Sequence, residues 1–275
     1  MTGATSGKPH VICCVKVVPR PEEVTVDPAT RTVDRAHARS VINPPDMNLL
    51  EMALELKDRH GGRVSLLSMG PPFVEEYLRL GLAMGADRAY LLSDRAFGGA
   101  DTLATSYTLA QGISRIAAED GYDLVLCGEE SSDGATAQVP PGIAEWLGVP
   151  QVTYAGEIAL EDGRLRAVRE VRGGHEVLLA PLPAVVSVRV GVNEPRFIDF
   201  ESKAWAETEA PVTVWAAADL AVDAEMIGLA GSPTKVSGLG RARAVERRRE
   251  LICGTPEEEA RVLFERIQAV LHRSA

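Results

Sequence analysis

The sequence predicts an α/β fold built on a doubly wound, mainly parallel sheet, with antiparallel additions and an extended C-terminal arm. Three observations predict it. Short apolar runs bounded by turn residues recur through the first half of the chain, and most are followed by a stretch with helical spacing. After Gln151 the pattern becomes strand-rich, with turn signals at Asp162-Gly163 and Gly173-Gly174.

Taken in order, Val11 to Val18 is an apolar run stopped by Pro19 and reads as one buried parallel strand. Arg20 to Ile42 is polar, carries Pro21 and Pro28, and reads as an excursion or hairpin. Pro45-Asp46 opens a helix with Leu49, Leu50, Met52, Ala53 and Leu56 on its apolar side, closed by Gly61-Gly62. Arg63 to Met69 is a second strand, Phe73 to Ala83 a second helix and Ala89 to Leu92 a third strand. Thr102 to Ala118 is a third helix with Asp101 or Thr102 as N-cap. Tyr122 to Cys127 is a fourth strand, followed by a small-residue loop and a helix near Gly142 to Leu147. Gln151 to Leu160, Leu165 to Val171, Glu176 to Ala180 and Ala184 to Val190 are the strands expected to extend the sheet in antiparallel fashion. From Asn193 to about Gly254 the chain is rich in Gly, Pro and small residues and reads as an extended arm. Thr255 caps a closing helix that runs to His272. The expected division is residues 9–192, 193–254 and 255–275.

Composition narrows the function. With 275 residues, 45% of them hydrophobic, the chain can bury one large core. A net charge of -10 with no basic stripe gives nucleic acid no electrostatic footing and suits a cationic partner surface better. The run Arg241-Ala-Arg-Ala-Val-Glu-Arg-Arg-Arg249 reads as a solvated surface arm. No apolar run reaches the roughly 18 residues of a membrane helix, and the first residues lack the apolar core of a signal peptide, so a cytoplasmic protein without membrane insertion is expected. Cys13, Cys14, Cys127 and Cys253 form no CxxC pair, and the five histidines are scattered, so no metal site is expected. The cysteines read as reduced and mostly buried.

In such a sheet ligands gather at the carboxyl ends of the strands. The loop from Gly128 to Gln138 is the most informative of these. Its small residues let backbone amides approach a phosphate, and a helix start follows. Thr136 and Gln138 add neutral donors; Asp133 repels phosphate and suits a cap or a ribose hydroxyl. The bland alternative is an ordinary polar loop. Asp101, Thr102 and Thr105 share the first turn of a helix, more polar groups than capping needs. Asn43-Pro-Pro-Asp46 and Met69-Gly70 also stand beyond strand ends. Neither GxGxxG after a strand nor a P-loop is present.

These segments, in this order, resemble the beta subunit of electron transfer flavoproteins. The residues that carry the resemblance are Cys14-Val-Lys-Val-Val-Pro19, Asn43-Pro44, Met69-Gly-Pro71, Leu82-Ala-Met-Gly-Ala-Asp87, Asp123-Leu-Val-Leu-Cys-Gly128, Asp133-Gly134, Thr136-Ala-Gln-Val139, Asn193-Glu-Pro-Arg196 and the long stretch Arg169 to Val186. The resemblance implies a Rossmann-like, adenine-nucleotide-binding fold and a heterodimer with an alpha subunit that carries the electron-transferring FAD. It implies a pocket made of Cys14, Asn43, Asp46, Met69 and residues Ser131 to Gly142, among them Asp133, Gly134, Ala135, Thr136, Ala137, Gln138 and Val139. That pocket holds AMP in ordinary carriers, which serve acyl-CoA dehydrogenase-type partners, and a second FAD in electron-bifurcating members. The stretches Ala100 to Ser106, Asp133 to Val139 and Gly228 to Thr234 are similar to the bifurcating type and favour FAD. Ala135, Pro140 and the Glu129-Glu130 pair depart from the pattern, and Pro140 removes a backbone donor. The partner-recognition loop of ordinary carriers is lysine-rich, whereas this chain has Lys203-Ala-Trp-Ala-Glu-Thr-Glu209. A non-redox nucleotide-binding module is the remoter alternative, because doubly wound sheets host many functions.

Overall fold

The computed structural model describes residues 8–20, 25–26, 33–34, 39–234 and 249–272. It divides into two units, Met1–Leu239 and Gly240–Ala275. The first contains β1 (His10–Cys14), β2 (Val17–Pro19), β3 (Thr25–Val26), β4 (Val33–Asp34), β5 (Ser40–Ile42), α1 (Pro44–His60), β6 (Arg63–Met69), α2 (Val74–Ala83), β7 (Arg88–Leu92), α3 (Thr102–Asp120), β8 (Leu124–Gly128), α4 (Val139–Leu147), β9 (Gln151–Glu161), β10 (Arg164–Val171), β11 (Gly174–Pro181), β12 (Ala184–Val188), α5 (Phe200–Thr208) and β13 (Val212–Trp215). The second contains α6 (Pro256–Leu271), which opens with the expected Thr255 cap and its reciprocal partner Glu258.

Nine strands form one sheet in the order β11-β10-β9-β12-β8-β1-β6-β7-β13. The sides of each central strand alternate between two cores, as the two-residue period of a strand requires. Val11, Cys13, Leu66, Leu124 and Leu126 meet Leu49, Leu50, Leu54 and Leu56 of α1 and Leu78 and Leu82 of α2. On the opposite face Ile12, Cys14, Leu67 and Val125 meet Tyr107, Ile113 and Ile116 of α3 and Ile143 of α4. Covered on both sides, β1 is buried at all five positions, which is why it reads as an unbroken apolar run. The next core strand in sequence, β6, lies on one side of β1 and β8 on the other, both parallel to it. The winding therefore reverses at β1 and opens a crevice beyond the carboxyl ends of β1 and β8.

Three expectations are corrected. The run from Val11 to Val18 is not one strand: β1 ends at Cys14, and β2 pairs with β5 antiparallel. The chain turns out of the sheet because the Lys16 N–H donates to the Asp46 carboxylate (2.6 Å) instead of continuing a ladder. The strand at Ala184 is not an antiparallel addition, since β12 runs parallel to both β8 and β9. All five of its residues are buried, and a strand buried on both faces belongs inside the sheet. Only the pairings within β9, β10 and β11 are antiparallel additions to this sheet. The stretch after Asn193 is not uniformly extended; it holds α5 and then β13, which completes the sheet edge parallel to β7. Trp215 of that strand stacks on Tyr90 at 4.8 Å, and Arg115 lies 4.9 Å from its ring centroid, so the short run is fixed by tertiary packing. The segment read as an excursion carries the small pair β3–β4. In the basic run, Arg241 through Arg248 lie outside the described residues. Among the described residues no helix is long and apolar enough to cross a membrane.

Candidate functional site

The loop between β8 and α4 crosses the mouth of the crevice. The Glu129 N–H donates to the Val188 carbonyl (3.0 Å), and the Gly134 and Ala135 N–H groups fold back onto the Ser131 carbonyl (3.2 and 2.7 Å). Ala135 (φ 46°) and Ala137 (φ 55°) both occupy the left-handed region. For a residue with a Cβ this costs about 1–2 kcal/mol, so the surroundings hold the backbone there. Ala137 is followed by Gln138 in the right-handed region (φ -92°, ψ -21°). A left-then-right alternation aims successive N–H groups into one concavity, a geometry that binds anions. The N–H groups of Thr136, Ala137, Gln138 and Val139 donate to no acceptor among the described residues.

Asn43 and Asp46, at the start of α1, support this loop from below. The Asn43 amide nitrogen donates to Asp46 Oδ1 (3.0 Å) and to the Glu130 carbonyl (2.9 Å), while its oxygen accepts from the Ser132 N–H (3.0 Å). Asp46 Oδ2 accepts from the Lys16 N–H (2.6 Å). Gly128 is required here, because a Cβ on it would fall 2.2 Å from Asp46 Oδ1. Burial pushes the Asp46 carboxyl up to about 7, against the opposing pull of Asn43 and of the Lys16 N–H. Above the loop, Lys16 Nζ donates to Asp133 Oδ1 (2.6 Å) and to Ser131 Oγ (3.2 Å). Partial burial pushes Asp133 up, but the Lys16 contacts and the Ser131 hydrogen bond outweigh it and hold the carboxyl below its usual range.

The far wall is the start of α3. Thr102 Oγ1 donates to Gln138 Oε1 (2.7 Å), joining α3 to the loop. Asp101 caps the helix through the N–H groups of Leu103 and Ala104 (2.9 and 3.2 Å). Its second oxygen accepts from the Thr234 N–H and hydroxyl (3.0 and 2.7 Å), and its own N–H donates to Ser232 Oγ (2.8 Å). Both carboxylate oxygens are thus engaged within the chain. Thr105 is partly buried one turn on, its N–H bonded to the Asp101 carbonyl (2.9 Å). The α3 and α4 starts approach closely because position 142 is glycine: a Cβ there would meet Ser106 Oγ at 2.6 Å.

Cys14 and Cys127, register partners on β1 and β8, line the strand ends with the partly buried Met69. A hydrogen bond between the two thiols, together with burial, pushes Cys127 up, and burial does the same to Cys13. Cys13, Cys14 and Cys127 are buried free thiols, whereas Cys253 is exposed. The Asn193-to-Arg196 motif is a clamp on α1: Asn48 donates to the Asn193 carbonyl (2.8 Å), and Arg196 Nε and Nη2 donate to the Glu51 carboxylate (3.0 and 2.9 Å).

The structure brings Asn43, Asp46, Ser131, Asp133 and the stretch Gly134 to Val139 together with Thr102 around one crevice, with Cys14 and Met69 at the ends of its strands. Asp101 stands at the rim, tied to Thr234. Sequence reasoning singled out neither Lys16 nor the Ser232–Thr234 anchor as site residues. Lys16 fell inside the strand expected from Val11 to Val18, and only the end of β1 at Cys14 places it beyond the sheet. The electron transfer flavoprotein domain family matches residues 30–220. The chain is 47% identical over 231 residues to the electron transfer flavoprotein subunit beta of Megasphaera elsdenii, covering 82% of this chain and 85% of that one. It is 45% identical over 227 residues to the subunit of the same description from Clostridium acetobutylicum, covering 82% and 86%. It is 45% identical over 228 residues to subunit CarD of the caffeyl-CoA reductase-Etf complex of Acetobacterium woodii, again covering 82% and 86%. With a switch-point crevice built from the residues that carry the family pattern, and relatives matching along most of their length, this chain belongs to the electron transfer flavoprotein family as a beta subunit.

Proposed function

We propose that the crevice beyond β1 and β8 holds the nucleotide portion of a second FAD, in a heterodimer whose alpha subunit carries the first, and that NADH is the electron donor. The observation that supports this most is a junction. The three stretches similar to the bifurcating type meet through side-chain bonds, Thr102 with Gln138 and Asp101 with Ser232 and Thr234. A bound flavin supplies hydride and single-electron chemistry, and the protein supplies binding, orientation and electrostatics. The N–H groups of Thr136 to Val139 would take phosphate oxygens, Asp133 a ribose hydroxyl, and Cys14 with Met69 would offer an apolar surface to a ring.

A structural AMP, in a carrier serving acyl-CoA dehydrogenase-type proteins, is the second reading. It is favoured by Pro140 and Pro141 in the first turn of α4 and by the carboxylates Glu129, Glu130 and Asp133 on the loop, which suit a smaller phosphate charge. Nucleotide extraction from the purified heterodimer separates the two. Two FAD per heterodimer, with bleaching by NADH, is the expected result. One FAD and one AMP selects the carrier reading, and no adenine nucleotide on this subunit overturns both.

A further inference from the structure

We propose that Lys16 is the cation that neutralises the phosphate of the bound nucleotide, and that its ion pair with Asp133 is the resting position from which its ammonium moves to do so. This rests on the nucleotide reading above and adds a residue and a motion to it.

A phosphate at a βα crevice is ordinarily met by the free N–H groups of a helix start. Both helix starts here are depleted. The first turn of α4 contains Pro140 and Pro141, which have no N–H to give. In α3 the Leu103 and Ala104 N–H groups are taken by the Asp101 carboxylate, which also places a negative charge at that end. The loop between them adds Glu129, Glu130 and Asp133 and no cation. Neutral amides from Thr136 to Val139 remain, and amides alone leave the phosphate charge uncompensated in a group of carboxylates.

Among the described residues, Lys16 is the cation recorded as bonded to this loop, through Asp133 Oδ1 at 2.6 Å and Ser131 Oγ at 3.2 Å. Its backbone is fixed at both ends of the peptide: the N–H donates to Asp46 Oδ2 (2.6 Å), and the carbonyl accepts from the Asn43 N–H (2.8 Å). The ammonium is on a flexible stem with its side chain 47% exposed. An exposed pair of this kind is weak, so a phosphate that binds the same ammonium replaces it at little cost. The move also frees Asp133 to accept a ribose hydroxyl. Anchored backbone and mobile head together make Lys16 a phosphate-sensing arm at the switch point.

The test titrates the nucleotide-stripped full-length chain with adenosine, AMP, ADP and FAD by calorimetry. Lys16→Gln is expected to weaken AMP, ADP and FAD by about ten- to a hundredfold, the size of a lost charge-assisted contact, while adenosine binding is unchanged. Lys16→Arg is expected to stay within a few-fold of the unaltered chain, and Asp133→Ala to weaken AMP, whose phosphate draws the ammonium off Asp133, more than adenosine. A thermal unfolding midpoint for Lys16→Gln close to that of the unaltered chain removes misfolding as a cause. Undiminished AMP, ADP and FAD binding by Lys16→Gln, or an equal loss for adenosine and AMP, overturns the assignment. An unaltered chain that binds none of the four overturns the nucleotide reading instead.

Discussion

Replacing Asp46 by Asn should change stability in a manner that depends on pH. The substitution keeps the volume of the side chain but leaves one carbonyl oxygen where two carboxyl oxygens accept from Asn43 and the Lys16 N–H. One of those donors then loses its acceptor, at a cost of about 1–3 kcal/mol. Opposing this is the titration. Burial raises the folded-state carboxyl from 3.8 to about 7. Between these values the folded protein retains a proton that the unfolded chain has released, so the stability of the unaltered protein is fully present below about pH 4 and declines as pH rises to about 7. At 1.36 kcal/mol per pH unit the decline from about pH 4.5 to pH 8 is on the order of 3 kcal/mol, and Asn at this position lacks it. Urea unfolding at several pH values, plotted as the difference between the two proteins, cancels the titration of every other group that is unchanged by the substitution. Asp46→Asn should be the less stable protein near pH 4.5 and should draw level with the unaltered one, or pass it, by pH 8. A difference that stays flat across this range refutes the reasoning, because the carboxyl would then be ionised throughout.

Further outcomes follow from contacts around the crevice. Gly142→Ala places a Cβ 2.6 Å from Ser106 Oγ and should cost about 1–3 kcal/mol in urea unfolding, with the Trp146–Ser106 hydrogen bond disturbed and Trp fluorescence shifted. Glu51→Gln discharges a carboxylate that is 8% exposed and bonded to Arg196, so about 2 kcal/mol should be lost and amide exchange at Arg196 should quicken. Asp101→Ala should cost about 1 kcal/mol as a lost helix cap and should speed exchange at Leu103, Ala104 and Thr234 together; Asp101→Asn should recover most of the cap.

The elements of the first half were legible because local physics decides them. Arg63–Met69 is the strand its apolar run predicts, and the helix that begins at Pro44 ends against Gly61, whose φ of 70° suits glycine. The loop from Gly128 was marked by its small residues, and the family pattern by the order of its motifs. Less legible was whatever depends on a distant partner. Lys16 leaves the sheet because Asp46, thirty positions on, takes its N–H. The strand β12 enters the sheet because β8 and β9 flank it on both edges, and β13 because β7 has an open edge. The sequence by itself therefore determined which segments are strands and helices through most of the chain and where a nucleotide would be sought. Only the tertiary structure decided that Thr102 at the start of α3 meets Gln138 ahead of α4, and that Lys16, its N–H held by Asp46, reaches Ser131 and Asp133 of the loop, since those facts depend on hydrogen bonds between residues far apart in the chain.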